Sequence, residues 1–98
     1  MLEIGYGDTG LIVLAGRLDA AQCASAQAFL DAVTEPQALD FARLEYISSA
    51  GLGVLLKTHK RLMAVGGRLK LVNVNNHIHD IFRYSGFDQV FEIVRSTG

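Results

Sequence analysis

The alternation of strand-like and helix-like segments constrains the fold of this chain more strongly than any other feature of its sequence. Two β-type runs, LEIGYG and LIVLAGRL, flank Asp8–Gly10, whose Asp, Thr and Gly residues predict a hairpin turn. Helix-like and strand-like segments then alternate, which gives the order β-β-α-β-α-β-α-β. Because βαβ crossovers join parallel strands and a hairpin joins antiparallel ones, we predict an α/β fold, a mixed sheet with helices packed on it.

The first helix and the third strand have recognisable boundary residues. Asp19 is a good N-cap residue, and the alanine-rich stretch behind it favours a helix. Pro36 lies in the connection beyond this helix. The third strand is predicted within residues 37–47 and is expected to end near Leu44.

The second helix is predicted from about Ala50 to Val65, where Gly66 and Gly67 end it. Five apolar side chains fall on one stripe at helical spacing, which indicates the buried face of this helix. They are Leu52, Leu55, Leu56, Leu62 and Met63.

The last third of the chain predicts a strand, a helix and a final strand. RLKLVNV is the strand, and the short helix in NNHIHDIFRYSG has Asn75 or Asn76 at its start and Gly86 at its end. VFEIV is the final strand.

Size and composition indicate one compact domain over residues 1–98. Half of the residues are hydrophobic and 19% are charged, which is typical of a globular chain. A net charge of −1 without a basic block gives no electrostatic footprint for a nucleic acid. We interpret a modest basic cluster as a solvated face; it consists of Lys57, Lys60, Arg61, Arg68 and Lys70.

The single cysteine and the absence of long apolar runs predict where the protein works. Cys23 has no second cysteine with which to form an internal disulfide. One thiol in a chain without a signal peptide is expected in the reducing cytoplasm. No apolar stretch approaches the ~20 residues that a membrane-spanning helix needs.

The sequence carries none of the motifs that would indicate an enzyme or a metal site. The nucleophile elbow Gly-x-Ser-x-Gly is absent, and GLG at Gly51–Gly53 lacks the lysine that completes a phosphate loop. His77 and His79 are two apart, so on a helix their rings point in different directions. We read His59 as a packed or half-buried side chain and expect no catalysis, no metal and no cofactor.

The stretch YISSAGLGVLL, from Tyr46 to Leu56, carries the strongest functional signal. A helix that begins here leaves its first N–H groups without partners, and a serine just before it can cap one of them. Capping does not explain Gly51 and Gly53, because glycine in the first turns of a helix costs roughly 0.5–1 kcal/mol relative to alanine. We therefore expect a bare surface at these glycines that a partner approaches closely.

The same stretch resembles the signature of the STAS family, which includes anti-sigma factor antagonists and the tails of sulphate transporters. The family pattern Asp-Ser-(Ser/Thr)-Gly-Leu-Gly, after a strand and at a helix start, is similar to residues 48–53, Ser-Ser-Ala-Gly-Leu-Gly. Further similarities are GRLD ending at Asp19, Asp40 in the third strand, the two glycines at 66–67, and FRYSGF at 82–87. The resemblance covers nearly the whole chain and implies the STAS fold.

The resemblance also implies a function and a set of site residues. A family member of this kind binds an anti-sigma factor that is also a serine kinase, and the sigma factor is released. The kinase then phosphorylates the serine after the aspartate, binding is lost, and a phosphatase resets the switch. The implied phosphoacceptor is Ser49, with Ser48 as the less favoured site. The implied partner-binding residues are Asp19, Ser48, Ala50, Gly51 and Gly53.

Ser48 departs from the family pattern because it stands where the family has aspartate. Serine can donate and accept hydrogen bonds but has no charge, so either the kinase or Asp19 supplies the acid, or the switch is weaker. Two alternatives therefore stay open. The chain is a STAS accessory subunit, for example one bound to the ATPase of a lipid transporter, or it binds a small ligand near Asp19 and Ser49. The sequence does not distinguish a monomer from a weak dimer.

Overall fold

The computed structural model describes residues 1–8, 10–35 and 37–96. The strands are β1 (Leu2–Tyr6), β2 (Ile12–Leu18), β3 (Gln37–Ile47), β4 (Leu69–Val74) and β5 (Glu92–Arg95). The helices are α1 (Cys23–Asp31), α2 (Ser49–Met63) and α3 (Asn76–Ser85), with 3-10 turns at Ala20–Gln22 and Phe87–Gln89. The predicted order β-β-α-β-α-β-α-β is confirmed.

The five strands form one mixed sheet in the order β1-β2-β3-β4-β5. β1 pairs with β2 in the antiparallel sense, and the remaining pairs are parallel. Of the predicted hairpin turn, Thr9 lies outside the described residues, as does Pro36 in the later connection. Beside Thr9, the Gly7 N–H donates to the Leu11 carbonyl at 2.8 Å, and Gly10 has φ +82°.

The helices cover one face of the sheet and leave the other uncovered. Successive parallel strands follow each other in spatial order, and crossovers of one hand place every connecting helix on the same face. The buried strand residues accordingly alternate, as Ile12, Leu14 and Leu18 do in β2. Above β3, Phe41 stacks on Phe82 of α3, with 6.2 Å between the ring centroids.

β3 is longer than predicted. It continues past Leu44 to Ile47 and pairs with β2 up to that residue. Between Val13 and Ala15 of β2, the partner strand advances three residues, from Asp40 to Arg43. This β-bulge shifts which residues of β3 face the core. The alternation of apolar and polar residues is therefore interrupted within the strand, and the interruption resembles a strand end in the sequence.

α2 ends slightly before the predicted point, and its buried face is rotated from the predicted stripe. The helix stops at Met63, and the Gly67 N–H donates back to the Leu62 carbonyl at 2.9 Å while Gly66 has φ +83°. Leu52, Leu55 and Leu62 are buried, but Met63 is 51% exposed, so its place on the stripe is wrong. The other buried residues of α2 are Gly51, Val54, Thr58 and His59.

The predicted basic cluster is divided among three environments rather than forming one solvated face. Arg61 donates to the Leu30 carbonyl of α1 at 2.7 Å and is half-buried. Arg68 and Lys70 lie 3.6 and 3.4 Å from the carboxylate of Glu92 on β5. Lys57 and Lys60 are exposed. The cluster separates because these residues belong to different elements that face different neighbours.

His59 is a core residue held in its neutral form. It is 5% exposed, its Nδ1 accepts the Leu69 N–H at 3.2 Å, and its ring makes a T-shaped contact with that of Phe91. Burial, and secondarily the positive charge of Arg68, lowers the pKa of His59.

We expect His59 to make the fold less stable in mild acid. Below the unfolded-state pKa of about 6.5, the unfolded chain binds a proton that the folded chain does not. Stability is therefore fully present above that pH and falls as the pH drops toward the folded pKa, by up to about 1.4 kcal/mol per unit.

Urea unfolding at about pH 7.5 and pH 5.5 measures this loss. His59→Gln keeps a carbonyl acceptor for the Leu69 N–H but cannot titrate, so its loss should be smaller than that of wild type. His77→Gln, at an exposed position, is the control and should behave like wild type. An equal loss in all three proteins would rule out His59 as the source.

Candidate functional site

The two serines of the signature have different environments. Ser48 is the N-cap of α2, with φ −87° and ψ 171°, and its Oγ accepts the Gly51 N–H at 3.1 Å. The same Oγ donates to the Leu18 carbonyl at 3.2 Å, and the Ser48 N–H donates to that carbonyl at 2.9 Å. Ser48 therefore links the start of α2 to the end of β2, and its hydroxyl donates one hydrogen bond and accepts another.

Ser49 is the first residue of α2 and is exposed. No side-chain hydrogen bond of Ser49 occurs among the residues that the structure describes. The first turn of α2 contains no acidic residue that would repel a negative charge there. Of the two hydroxyls, that of Ser49 is therefore the one an enzyme can reach without disturbing the helix cap.

Gly51 and Gly53 lie two residues apart but have opposite environments. Gly51 is buried, and a Cβ there would lie 2.8 Å from both the Cγ and the carbonyl oxygen of Leu18, and 2.9 Å from Cγ1 of Ile47. A Cβ on Gly53 would meet nothing within 4 Å. The interpretation of Gly51 as bare surface is corrected: Gly51 allows α2 to pack closely against β2, whereas Gly53 is exposed.

The exposed side of α2 near Ser49 carries little side-chain volume. Ser49, Ala50 and Gly53 are all exposed and share this side of the helix at helical spacing. We call these three residues the α2 surface. Lys57, also exposed, follows one turn after Gly53. A flat surface of this kind permits close approach of another backbone.

Asp19 does not cap α1 as the sequence suggested. It precedes the 3-10 turn Ala20–Gln22 and makes no side-chain cap hydrogen bond, while its backbone carbonyl accepts from the Gln22 N–H at 3.0 Å. Helix α1 therefore begins only at Cys23. The Oδ1 atom of Asp19 is buried and has no hydrogen-bond partner within the described ranges.

Cys23 lies beside Asp19 and is a packed residue. Its Sγ contacts the Asp19 carbonyl oxygen at 3.3 Å, and burial together with the Asp19 charge raises the pKa of its thiol. A raised thiol pKa keeps the side chain protonated and poorly nucleophilic.

Asp40, the residue of the third strand that the family resemblance singled out, has a structural role. Its Oδ1 accepts the Ala42 N–H at 2.9 Å and the Asn73 Nδ2 at 3.1 Å. Asn73 has φ +57°, a left-handed conformation that asparagine adopts more readily than most residues. Asp40 therefore satisfies the N–H exposed by the bulge of β3 and ties β3 to β4, and it is not brought to the α2 surface.

Two shallow cavities, of about 260 and 320 Å³, lie on the uncovered face of the sheet. Glu3, Ala15 and Arg43 line both of them, and neither is lined by Asp19 or Ser49. Within the described ranges no group of three or more His, Cys, Asp or Glu side chains is placed to hold a metal ion. Nor is any helix in those ranges long and apolar enough to cross a membrane.

Known proteins resemble this chain in both sequence and fold. Residues 5–95 match the family model described as Mlab, STAS domain. BtrV of Bordetella bronchiseptica, whose name describes it as an anti-sigma factor antagonist, is 45% identical over 58 residues, or 59% of this chain. The matched segment spans about half, 50%, of the length of BtrV.

Solved structures of SpoIIAA from Bacillus, an anti-sigma factor antagonist, have a similar fold. The unphosphorylated form superposes with a TM-score of 0.73 at 24% identity and covers 96% of this chain and 88% of its own. The phosphorylated form superposes with a TM-score of 0.66 at 24% identity. The match covers 96% of this chain and 91% of the SpoIIAA chain.

The contrast between the two glycines predicts opposite effects of the same substitution on stability. Gly51→Ala forces a Cβ against the Leu18 carbonyl, and such overpacking costs typically about 1–3 kcal/mol. Gly53→Ala adds a methyl group to open space and should stabilise the helix by about 0.5–1 kcal/mol. Urea unfolding of the two variants measures both changes. If Gly51→Ala is as stable as wild type or more stable, the packing assigned to Gly51 is wrong; if Gly53→Ala is destabilised, the open space assigned to Gly53 is wrong.

Proposed function

Because this chain belongs to the STAS domain family, we propose that it is an anti-sigma factor antagonist in a partner-switching system. In its unphosphorylated form it binds an anti-sigma factor that is also a serine kinase, and so frees the sigma factor. Phosphorylation of Ser49 releases it, and a phosphatase restores the binding form. The observation that carries this proposal is the exposed hydroxyl of Ser49 on the α2 surface, next to a neighbour whose hydroxyl is occupied.

Phosphate on Ser49 is compatible with the fold and incompatible with a docked partner. It adds about −1.5 to −2 charges at pH 7. At the start of α2 this charge lies near N–H groups without intrahelical partners and at the positive end of the helix dipole. A partner seated on the α2 surface would have to desolvate the same charge, and a penalty of about 3 kcal/mol weakens binding roughly a hundredfold.

Ser48 has the structural role in this proposal. The family's aspartate at this position would bring a charge, and Ser48 brings a hydroxyl that caps α2 and bonds the end of β2. The acid that orients the acceptor then comes from the kinase or from Asp19, which follows Leu18 directly in the chain.

A second candidate function is that of a STAS accessory subunit of a transporter ATPase. The uncharged residue at Ser48 favours it, because a docking module needs the flat α2 surface but no phosphate switch. A small-ligand module is the third candidate, and ligand-induced stabilisation of the isolated protein would favour it. Affinity purification from the native cell, comparing wild type with Ser49→Asp, identifies the partner. It distinguishes an anti-sigma factor antagonist from a transporter subunit.

We predict that the partner kinase modifies Ser49 and that the added charge abolishes docking. Ser49→Ala should bind constitutively, and because Ser48 supplies the cap it should fold as stably as wild type. Ser49→Asp should fold well but bind at least roughly tenfold more weakly, a loss of about 1.4 kcal/mol. Ser48→Ala should still be phosphorylated on Ser49 while losing about 1 kcal/mol of stability.

Mass spectrometry after incubation with the kinase and ATP identifies the site, and calorimetric titration measures the affinities. Phosphate on Ser48 alone, or equal affinities for Ser49→Ala and Ser49→Asp, would refute the switch. The protein incubated with ATP alone is the control. We propose that this protein has no catalytic activity of its own. ATP hydrolysis by the wild-type protein that disappears in Ser49→Ala would contradict this proposal.

We further predict that a long side chain at Gly53 blocks the partner. Gly53→Lys projects into open space, so the circular dichroism spectrum should stay close to that of wild type and the unfolding midpoint should be no lower. Binding to the partner should be lost because the partner can no longer approach the α2 surface. Tyr84→Lys, at a position of α3 that is 81% exposed, is the control for an added charge and should bind normally. Unchanged affinity of Gly53→Lys would place the contact elsewhere.

A further inference from the structure

The free edge of β1 presents a row of unpaired backbone groups. In an antiparallel pair, every second residue of β1 forms backbone hydrogen bonds with β2. The hydrogen bonds from the Gly7 N–H to the Leu11 carbonyl and from the Arg17 N–H to the Met1 carbonyl show which residues these are. Odd-numbered residues of β1 therefore bond to β2. The N–H and C=O groups of Leu2, Ile4 and Tyr6 point away from β2, at the edge of the sheet. We call these three residues the β1 edge.

The side chains of the β1 edge are apolar and incompletely covered. Leu2 and Ile4 are half-buried and pack against the core on the helix-covered face. Tyr6 is 61% exposed although its ring lies 5.7 Å from that of Phe29 on α1. Helix α1 thus leaves part of this apolar strip open to solvent.

The two edges of the sheet differ in how they are protected against pairing. β5, the opposite edge, carries Glu92 with Arg68 and Lys70 beside it, and Arg95 near its end. Charged side chains of this kind discourage strand addition. β1 has no lysine, arginine or proline, and its single charge, Glu3, points to the uncovered face. β1 is therefore the less protected of the two edges.

We infer that this protein forms a dimer in which the β1 edges of two copies pair in the antiparallel sense about a two-fold axis at Ile4. In that register Ile4 faces Ile4 of the second copy, and Leu2 faces Tyr6 of the second copy. All three residues have their backbone groups directed outward, so every facing pair is in phase for hydrogen bonding. A strand shifted by one residue would lose this match.

The same register suits the side chains on both faces of the joined sheet. On the helix-covered face, the three apolar side chains of each β1 edge bring their exposed surface together. On the other face, Glu3 of each copy lies opposite Gly5 of the other, so the two carboxylates avoid a directly opposed like-charge pair. This complementarity within one five-residue strand is the reason to assign the edge to a second copy.

The dimer does not rest on the proposed switch, because none of the residues of the α2 surface lies on β1. Its test needs only the purified protein. Sedimentation equilibrium should show the mass rising with concentration from 10.6 kDa toward twice that value. Tyr6→Lys adds a charge at the edge and should raise the dissociation constant at least about tenfold. Tyr84→Lys is the matched control and should dimerise like wild type.

Ile4→Pro provides a second test, because the Ile4 N–H makes no bond to β2 and its loss removes only a hydrogen bond between copies. This variant should remain monomeric, with its fold checked by circular dichroism. Residue-resolved amide exchange on wild type should show concentration-dependent protection at Leu2, Ile4 and Tyr6. A monomer at millimolar concentration, a dimer that persists in Tyr6→Lys, or unprotected amides at these residues in the dimer would overturn the inference.

Discussion

The junction between β2 and α2 depends on one carbonyl group, that of Leu18. It accepts hydrogen bonds from both the N–H and the Oγ of Ser48, 30 residues away in the chain. The same atom would lie 2.8 Å from a Cβ at position 51, so the close approach that makes these bonds possible requires glycine there. The direction of α2, and hence everything that it exposes, follows from this contact.

At this junction the two neighbouring serines have different environments. A helix start offers both a cap position and free N–H groups that attract anions. Here the cap position belongs to Ser48, whose hydroxyl donates once and accepts once, while Ser49 is left exposed on the first turn. A modification of Ser49 therefore need not break the bonds that fix α2 to β2. A charge can change at the surface while the backbone beneath it stays in place.

The sequence was sufficient for the element order, the mixed sheet and the cap at the second helix, because alternating patterns and turn residues are local signals. It was insufficient where the outcome depends on distant atoms. The end of β3 was missed because a bulge, held by Asp40 and Asn73, shifts its inward-facing positions. Gly51 and Gly53 look alike in sequence, and only the distance to Leu18 distinguishes them. The exposure of Met63 likewise depends on how α2 rotates against the sheet.

Gly53 is the residue that packing does not explain. Gly51 has a structural reason for its cost in helix propensity, because any side chain there would collide with β2. Gly53 has open space around it, so alanine would fit and would favour the helix. Sequences that keep a local cost without a packing benefit tend to do so at functional positions. Gly53 shares the exposed side of α2 with Ser49 and Ala50, and this position supports the proposal that a partner approaches the backbone of α2 closely there.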